Sequence, residues 1–203
     1  MKTKYLLKPF SYIFHPIFIS IYGAILYFLF TKNITLLAEV YLSFIQIFIL
    51  TILLPLCFFM LLKTLKKVKS FTEATIEERR LPIFIQVLLL YCLLNFTILE
   101  SHFPELYKFF QAGFISSFLV FVSVMMRFKA SLHMIGITSL FVFTMMLTSY
   151  LEIEATYTLA YLIMCMGFVA SSRLYMKAHS PIELIVGMII GGMPQILIWF
   201  YKI

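Results

Sequence analysis

The stretch Ser172-Arg173-Leu174-Tyr175-Met176-Lys177-Ala178-His179-Ser180-Pro181-Ile182-Glu183 places a polar, cationic knot between two long apolar runs. The flanking runs decide the fold, because they have the length and hydropathy of bilayer-crossing helices. The knot poses a different question, since ionisable groups at a bilayer boundary are expensive. Its polar members are spaced Arg-x5-His-x3-Glu. An arginine grips an oxyanion through its planar fork, an imidazole attacks or protonates, and a carboxylate orients the imidazole. Ser180-Pro181-Ile182-Glu183 also has the form of a helix capping box, with Ser at the cap, Pro at the first position and Glu at the third. Glu183 therefore has a structural task open to it as well as a chemical one.

The same character extends over the whole chain. Of 203 residues 63% are hydrophobic, and the mean hydropathy is +1.02, which marks an integral membrane protein. Crossing roughly 30 Å of hydrocarbon takes about 20 mostly apolar residues. Seven runs qualify: Tyr12–Phe30, Leu36–Leu62, Ile83–Leu99, Phe109–Met126, Leu132–Leu147, Ala155–Ala170 and Ile182–Phe200. The expected fold is all-α, a polytopic transmembrane helix bundle of six to seven spans, forming a single integral membrane domain over residues 1–203. The first run follows Lys2, Lys4 and Lys8 but has no small-x-small cleavage site before Lys32, so it reads as a span and not as a cleaved signal. Cys57, Cys92 and Cys165 fall in separate runs without a CxxC pair, as small apolar side chains do.

The net charge of +7 does not point to nucleic acid, because the cations are distributed by membrane side. With seven spans, one face carries Lys2, Lys4, Lys8, Lys63, Lys66, Lys67, Lys69, Arg79, Arg80, Arg127, Lys129, Arg173 and Lys177. The other carries Lys32, Lys108 and Lys202. The asymmetry places the basic face in the cytoplasm by the positive-inside rule. It survives removal of the six cations from Arg79 to Lys177, whose positions a phosphate site would explain equally well. The Lys63, Lys66, Lys67 and Lys69 cluster reads first as an anchor against anionic lipid headgroups. Beyond it, Thr75-x-x-Glu78 is a capping signature for a short interfacial helix.

Three polar constellations share that face: Arg79-Arg80-Leu81-Pro82 before the third run, Arg127-Phe128-Lys129-Ala130-Ser131-Leu132-His133 before the fifth, and the opening motif before the seventh. All three are expected at helix N-termini, where free N–H groups favour an anion. Pro82 and Pro181 both suit a first helical position. Each residue taken alone has a plainer reading. Arg173 can snorkel to the interface, His133 can bond a neighbouring carbonyl, and Arg79 and Arg80 can pair with Glu77, Glu78 or lipid phosphates. Their coincidence on one face favours a phosphate-binding site. His15 and His102 have no comparable company in the sequence. No HExxH motif or Cys/His ligand spacing is present, so neither a catalytic metal nor another cofactor is expected. Gly187, Gly191 and Gly192 form a small-residue stripe for close helix packing. Glu39, Gln46 and Asn95 are candidates for interhelical hydrogen bonds.

With these residues in view, the chain resembles a divergent bacterial membrane member of the type-2 phosphatidic acid phosphatase superfamily, whose pattern is Lys-x6-Arg-Pro, then Pro-Ser-Gly-His, then Ser-Arg-x5-His-x3-Asp. The third motif matches at Ser172, Arg173 and His179, with Glu183 in place of Asp. The second keeps Ser131 and His133 but has Ala130 and Leu132 for Pro and Gly. The first has Leu81 inserted between Arg80 and Pro82, and Glu73 stands where the lysine is expected. The resemblance spans residues 79–192, the expected phosphatase-like core.

The resemblance implies a metal-independent lipid phosphate phosphatase acting through phosphohistidine, without a cofactor, on a lipid mono- or diphosphate. His179 would be the nucleophile, Glu183 its orienting carboxylate and His133 the general acid. Arg173, Arg80, Arg79 and the amides near Ser131 would hold the phosphoryl oxygens, and Lys129 would replace the missing lysine. It also implies a bacterial inner membrane location, and the charge pattern puts the site on the cytoplasmic face. A lipid phosphotransferase of the same chemistry and a non-catalytic lipid-binding membrane protein are the alternatives. A transporter fits less well, because the ionisable groups gather at one surface and not at mid-bilayer.

Overall fold

The computed structural model describes residues 9–31, 36–68 and 75–200. Lys2, Lys4, Lys8, Lys32, Lys69, Glu73 and Lys202, which entered the charge and motif readings, lie outside the described residues. The chain is helical, with no strand among the described residues. Six helices are long and apolar enough to cross a membrane, and a seventh apolar helix is shorter. In chain order they are α1 (Pro16–Thr31), α2 (Leu37–Thr64), α3 (Ile76–Phe96), the single turn α4 (Leu99–His102), α5 (Pro104–Met125), α6 (Leu132–Tyr150), α7 (Thr156–Tyr175) and α8 (Pro181–Phe200). They form two compact units, residues 1–33 with 130–203 and residues 34–129. The core expected over 79–192 takes in parts of both.

The first apolar run is not one helix. Residues 9–13 are helical, the helix lapses at Phe14 and His15, and α1 restarts at Pro16. Proline disfavours the α conformation in the residue before it but is well placed at a first helical position, so His15-Pro16 is a natural break. The resulting α1 has 16 residues, about 24 Å at 1.5 Å per residue.

In the first unit α6 is the central element, packing against α8, α1 and α7. It buries a larger share of its residues than any other span, from Met134 through Phe143 to Thr148, on all sides of the helix. Two of its buried hydroxyls bond within the helix, Thr144 and Thr148 donating back to the carbonyls of Leu140 and Thr144 at 2.8 and 2.9 Å, whereas Thr138 Oγ1 is buried without a hydrogen-bond partner among the described residues. Deeper in the unit the Gln195 amide donates to Ser139 Oγ at 2.7 Å, joining α8 to α6.

The second unit contains α2, α3, α4 and α5, with α3 packed against α5. Helix α2 runs unbroken through one π-helical turn, Ile49–Leu53. Pro55 stands two residues beyond the end of this turn. A proline ring has no N–H and collides with the carbonyl four residues back, and the wider turn relieves that conflict. Gln46 Oε1 accepts from Ile98 N at 3.3 Å, and His102 Nε2 lies 3.4 Å from Glu39 Oε1, so two of the expected polar interhelical groups find partners. Helix α3 differs from expectation. It begins at Ile76 under a reciprocal Thr75–Glu78 capping box, with bonds of 3.3 and 3.1 Å, and continues through Pro82. Arg79 and Arg80 thus lie within the helix, and the separate interfacial helix is its first turns. Two satisfied cap bonds nucleate the helix upstream, and Pro82 removes only one later hydrogen bond.

Four helices close on non-glycine residues in the left-handed region: Lys66 (φ 57°), Arg127 (61°), Glu152 (55°) and Lys177 (51°). In each case the next amide bonds back across the turn, as in Lys67 N to Leu62 O at 2.9 Å and Ala178 N to Arg173 O at 3.1 Å.

The glycine stripe on α8 tests the α6–α8 contact. A Cβ at Gly191 would collide with the Ile135 carbonyl oxygen and lie 2.8 Å from Ile135 Cα, whereas one at Gly167 would meet nothing within 4 Å. Backbone atoms cannot rotate aside as a side chain does. Gly191→Ala should therefore destabilise the protein by about 1–3 kcal/mol. Gly167→Ala should be neutral or stabilise by up to about 1 kcal/mol. Thermal unfolding of both variants in detergent measures the difference.

Candidate active site

The Arg-x5-His-x3-Glu spacing is the length of one helix end plus one helix start. Helix α7 ends at Tyr175, and Lys177 turns the chain with its positive φ. Ala178 N donates to the carbonyl of Arg173 and holds the turn closed. His179 follows at once, and Ser180 caps α8. Glu183 N donates to Ser180 Oγ at 3.4 Å, and Glu183 Oε2 accepts from Ser180 N at 3.1 Å. The same Oε2 accepts from His179 Nδ1 at 2.8 Å. The structural and the orienting tasks of Glu183 are thus carried by one oxygen atom. A carboxylate accepts at this distance, so Nδ1 bears the proton and the neutral ring has its lone pair on Nε2. The His179 side chain is 1% exposed and that of Glu183 23%.

The second constellation arrives from α6. Ser131 N donates to the backbone carbonyl of Glu183 at 3.2 Å, so the starts of α6 and α8 touch directly. Gly187 permits this, since a Cβ there would lie 2.9 Å from Ser131 O. Ser131 is fully buried at the cap position of α6, and its hydroxyl has no hydrogen-bond partner among the described residues. His133 is in the first turn of α6. Its electrostatic neighbours include Arg173, His15 and His179. Its Nε2 lies 3.0 Å from the carbonyl oxygen of Ser11, which can only accept, so Nε2–H is the donor. Arg173 is 4% exposed at the end of α7, which excludes snorkelling into water as its main role.

The segment before α1 is part of this cluster, which the sequence did not indicate. Ser11 Oγ and Ser172 Oγ are 2.8 Å apart, and Phe10 stacks on Phe168 with ring centroids 4.5 Å apart. His15, which had no company in the sequence, meets His133 edge to face at 5.2 Å and 88°. The only sequence signal for this was the Ser11 and His15 pair in an otherwise apolar, aromatic stretch. His102 belongs to the second unit, where it meets Glu39.

The structure therefore brings together His179, Glu183, Ser131, His133 and Arg173, all in the first unit. Arg79, Arg80 and Lys129 belong to the second. There, Arg80 Nε is buried without a hydrogen-bond partner among the described residues, and Lys129 lies in the stretch that follows α5. No group of three or more His, Cys, Asp or Glu side chains among the described residues is arranged to hold a metal ion. Chemically, the cluster offers an imidazole backed by a carboxylate, a second imidazole that is a donor, a buried guanidinium and a buried hydroxyl.

Two substitutions separate the tasks of Glu183. Ser180→Ala removes one side of the cap and should cost about 1 kcal/mol. Glu183→Ala also strips buried Nδ1 of its acceptor and should cost about 2–4 kcal/mol in all. Equal losses in thermal unfolding would mean that the His179 bond contributes nothing to stability.

Compared with protein-family models, with curated proteins and with solved structures, the chain matches none.

Proposed function

We propose that the chain is a membrane-embedded phosphatase that releases phosphate from a lipid mono- or diphosphate through a phosphohistidine on His179. The observation that carries this reading is the 2.8 Å His179–Glu183 bond, formed at a buried turn beside Arg173 and His133. His179 Nε2 uses its lone pair to form the N–P bond to the terminal phosphorus while the P–O bond to the leaving group breaks, that group being the lipid hydroxyl of a monophosphate or the lipid monophosphate of a diphosphate. Glu183 stabilises the positive charge that the ring acquires. His133, in its protonated form, gives a proton to the departing oxygen. Water then attacks phosphorus, His133 takes the proton back, and the N–P bond breaks to release inorganic phosphate. Arg173 and the Ser131 hydroxyl hold the phosphoryl oxygens. The reading rests on residues of the first unit. Arg79, Arg80 and Lys129 enter only as the cations that the superfamily resemblance implies.

One observation favours the reading as a non-catalytic lipid-binding protein. The His179 ring is almost wholly covered, and His133 Nε2 is engaged by a backbone carbonyl. Catalysis requires both to be uncovered when substrate enters.

Phosphate release from phosphatidate, phosphatidylglycerol phosphate or undecaprenyl diphosphate, measured with the detergent-purified protein in EDTA, decides between them. Wild type should be active, and His179→Ala should lose roughly a thousandfold or more. Folded wild type that releases no phosphate from any of the three would leave a phosphotransferase that needs a lipid acceptor or the binding reading. We place the site on the cytoplasmic face from the distribution of basic residues. Single cysteines at Lys67 and Lys129 should then label from the cytoplasmic side and one at Glu152 from the other. Labelling of the first two from opposite sides would overturn the topology.

A further inference from the structure

We propose that His15, which lies outside all three motifs, is a further binding residue of this site and donates Nε2–H to a phosphoryl oxygen of the bound anion. The inference rests on the phosphate-site reading given above and adds a residue to it.

Local geometry fixes what His15 can offer. Its Nδ1 accepts from Ile17 N at 3.4 Å, capping the start of α1. With Nδ1 accepting, the neutral ring carries its proton on Nε2 and is a donor there. A cap alone would explain the first nitrogen but not the position of the ring. Serine, asparagine or aspartate caps a helix with a smaller and better acceptor. Here an imidazole is half-buried, edge to face with His133 at 5.2 Å and within the electrostatic field of Arg173.

The segment is also fastened on either side of the ring. Ser11 is tied to Ser172 and His133, Phe10 stacks on Phe168, and Phe14 is 5% exposed. These contacts hold residues 10–14 against the elements that carry Arg173 and His133, so His15 is held in place before any ligand arrives. Two further facts indicate an anion. Arg173 acts electrostatically on both His15 and His133, so three groups that bear or can bear positive charge gather here. The fully buried Ser131 hydroxyl, at the cap of the helix carrying His133, has no partner among the described residues. An oxyanion with several acceptor oxygens satisfies donors of all these kinds together.

The test uses the full chain in detergent, with orthovanadate and inorganic phosphate as probes, reading binding affinity and unliganded unfolding temperature. His15→Ser keeps a capping oxygen and removes the donor. His15→Asn keeps the capping oxygen and supplies an amide N–H. We expect His15→Ser to unfold at the wild-type temperature and to bind orthovanadate roughly tenfold more weakly or worse. His15→Asn should recover part of that loss, and the KM for phosphatidate should rise more than kcat falls. Wild-type affinity in His15→Ser overturns the proposal, as does loss of folding in both variants, which would make His15 a structural cap. Arg173→Gln separates this failure from failure of the underlying reading. If wild type binds neither probe, the phosphate site itself is refuted. If Arg173→Gln weakens binding and His15→Ser does not, only the role of His15 is refuted.

Discussion

The approach of α8 to α6 sets the position of everything polar in the first unit. Where Gly191 passes Ile135 the two backbones are in contact, with no room even for a methyl group. Between membrane helices there is little hydrophobic driving force, because lipid is as apolar as a leucine side chain, so close backbone packing provides much of the adhesion. One turn earlier Gly187 repeats the arrangement against Ser131, and the amide of Ser131 reaches the carbonyl of Glu183. The stripe ends where the polar cluster begins. The helix start that presents Glu183 and the helix start that presents His133 are thus held together by main-chain contacts.

The cluster is costly to keep. Arg173 and His179 are nearly inaccessible to solvent, and the hydroxyls of Ser11, Ser131 and Ser172 are buried with them. Desolvating such groups is unfavourable unless hydrogen bonds and counter-charges replace water. Glu183 offsets part of this by serving His179 and the helix start through one oxygen. Ser11 offsets more by giving its carbonyl to His133 and its hydroxyl to Ser172. Packing of apolar helices alone would not call for this arrangement, which is the physical reason to look for chemistry at this end of the unit.

The parts of the fold that were legible in the sequence are those set by neighbours along the chain. The capping boxes at Thr75 and Ser180 depend on residues three apart, and both form. The meeting of the second and third constellations followed from counting helices, since α6, α7 and α8 alternate in direction. Pro82 was misleading because a proline rule considers one residue, while the start of α3 was fixed by a cap seven residues upstream. The break at His15-Pro16 was written in the residues but was masked by the apolar character around it. The company of His15 was not legible at all. His133 is far away in the chain, and only packing of α1 on α6 joins them. The division into two units was equally hidden, because no change of composition marks residues 33 or 130.

His133 rests on the backbone of residue 11 and not on its side chain. Every amino acid supplies the same carbonyl there, so replacing Ser11 removes the hydroxyl facing Ser172 and leaves the acceptor of His133 in place. An alanine scan would therefore record at position 11 only the loss of the hydroxyl facing Ser172, and nothing of the contact to His133. Related sequences would be free to vary there without disturbing the imidazole. Only a change in the path of the chain, by an insertion, a deletion or a proline nearby, reaches that oxygen. The contact belongs to the shape of the segment, and a comparison of residues position by position has no symbol for it.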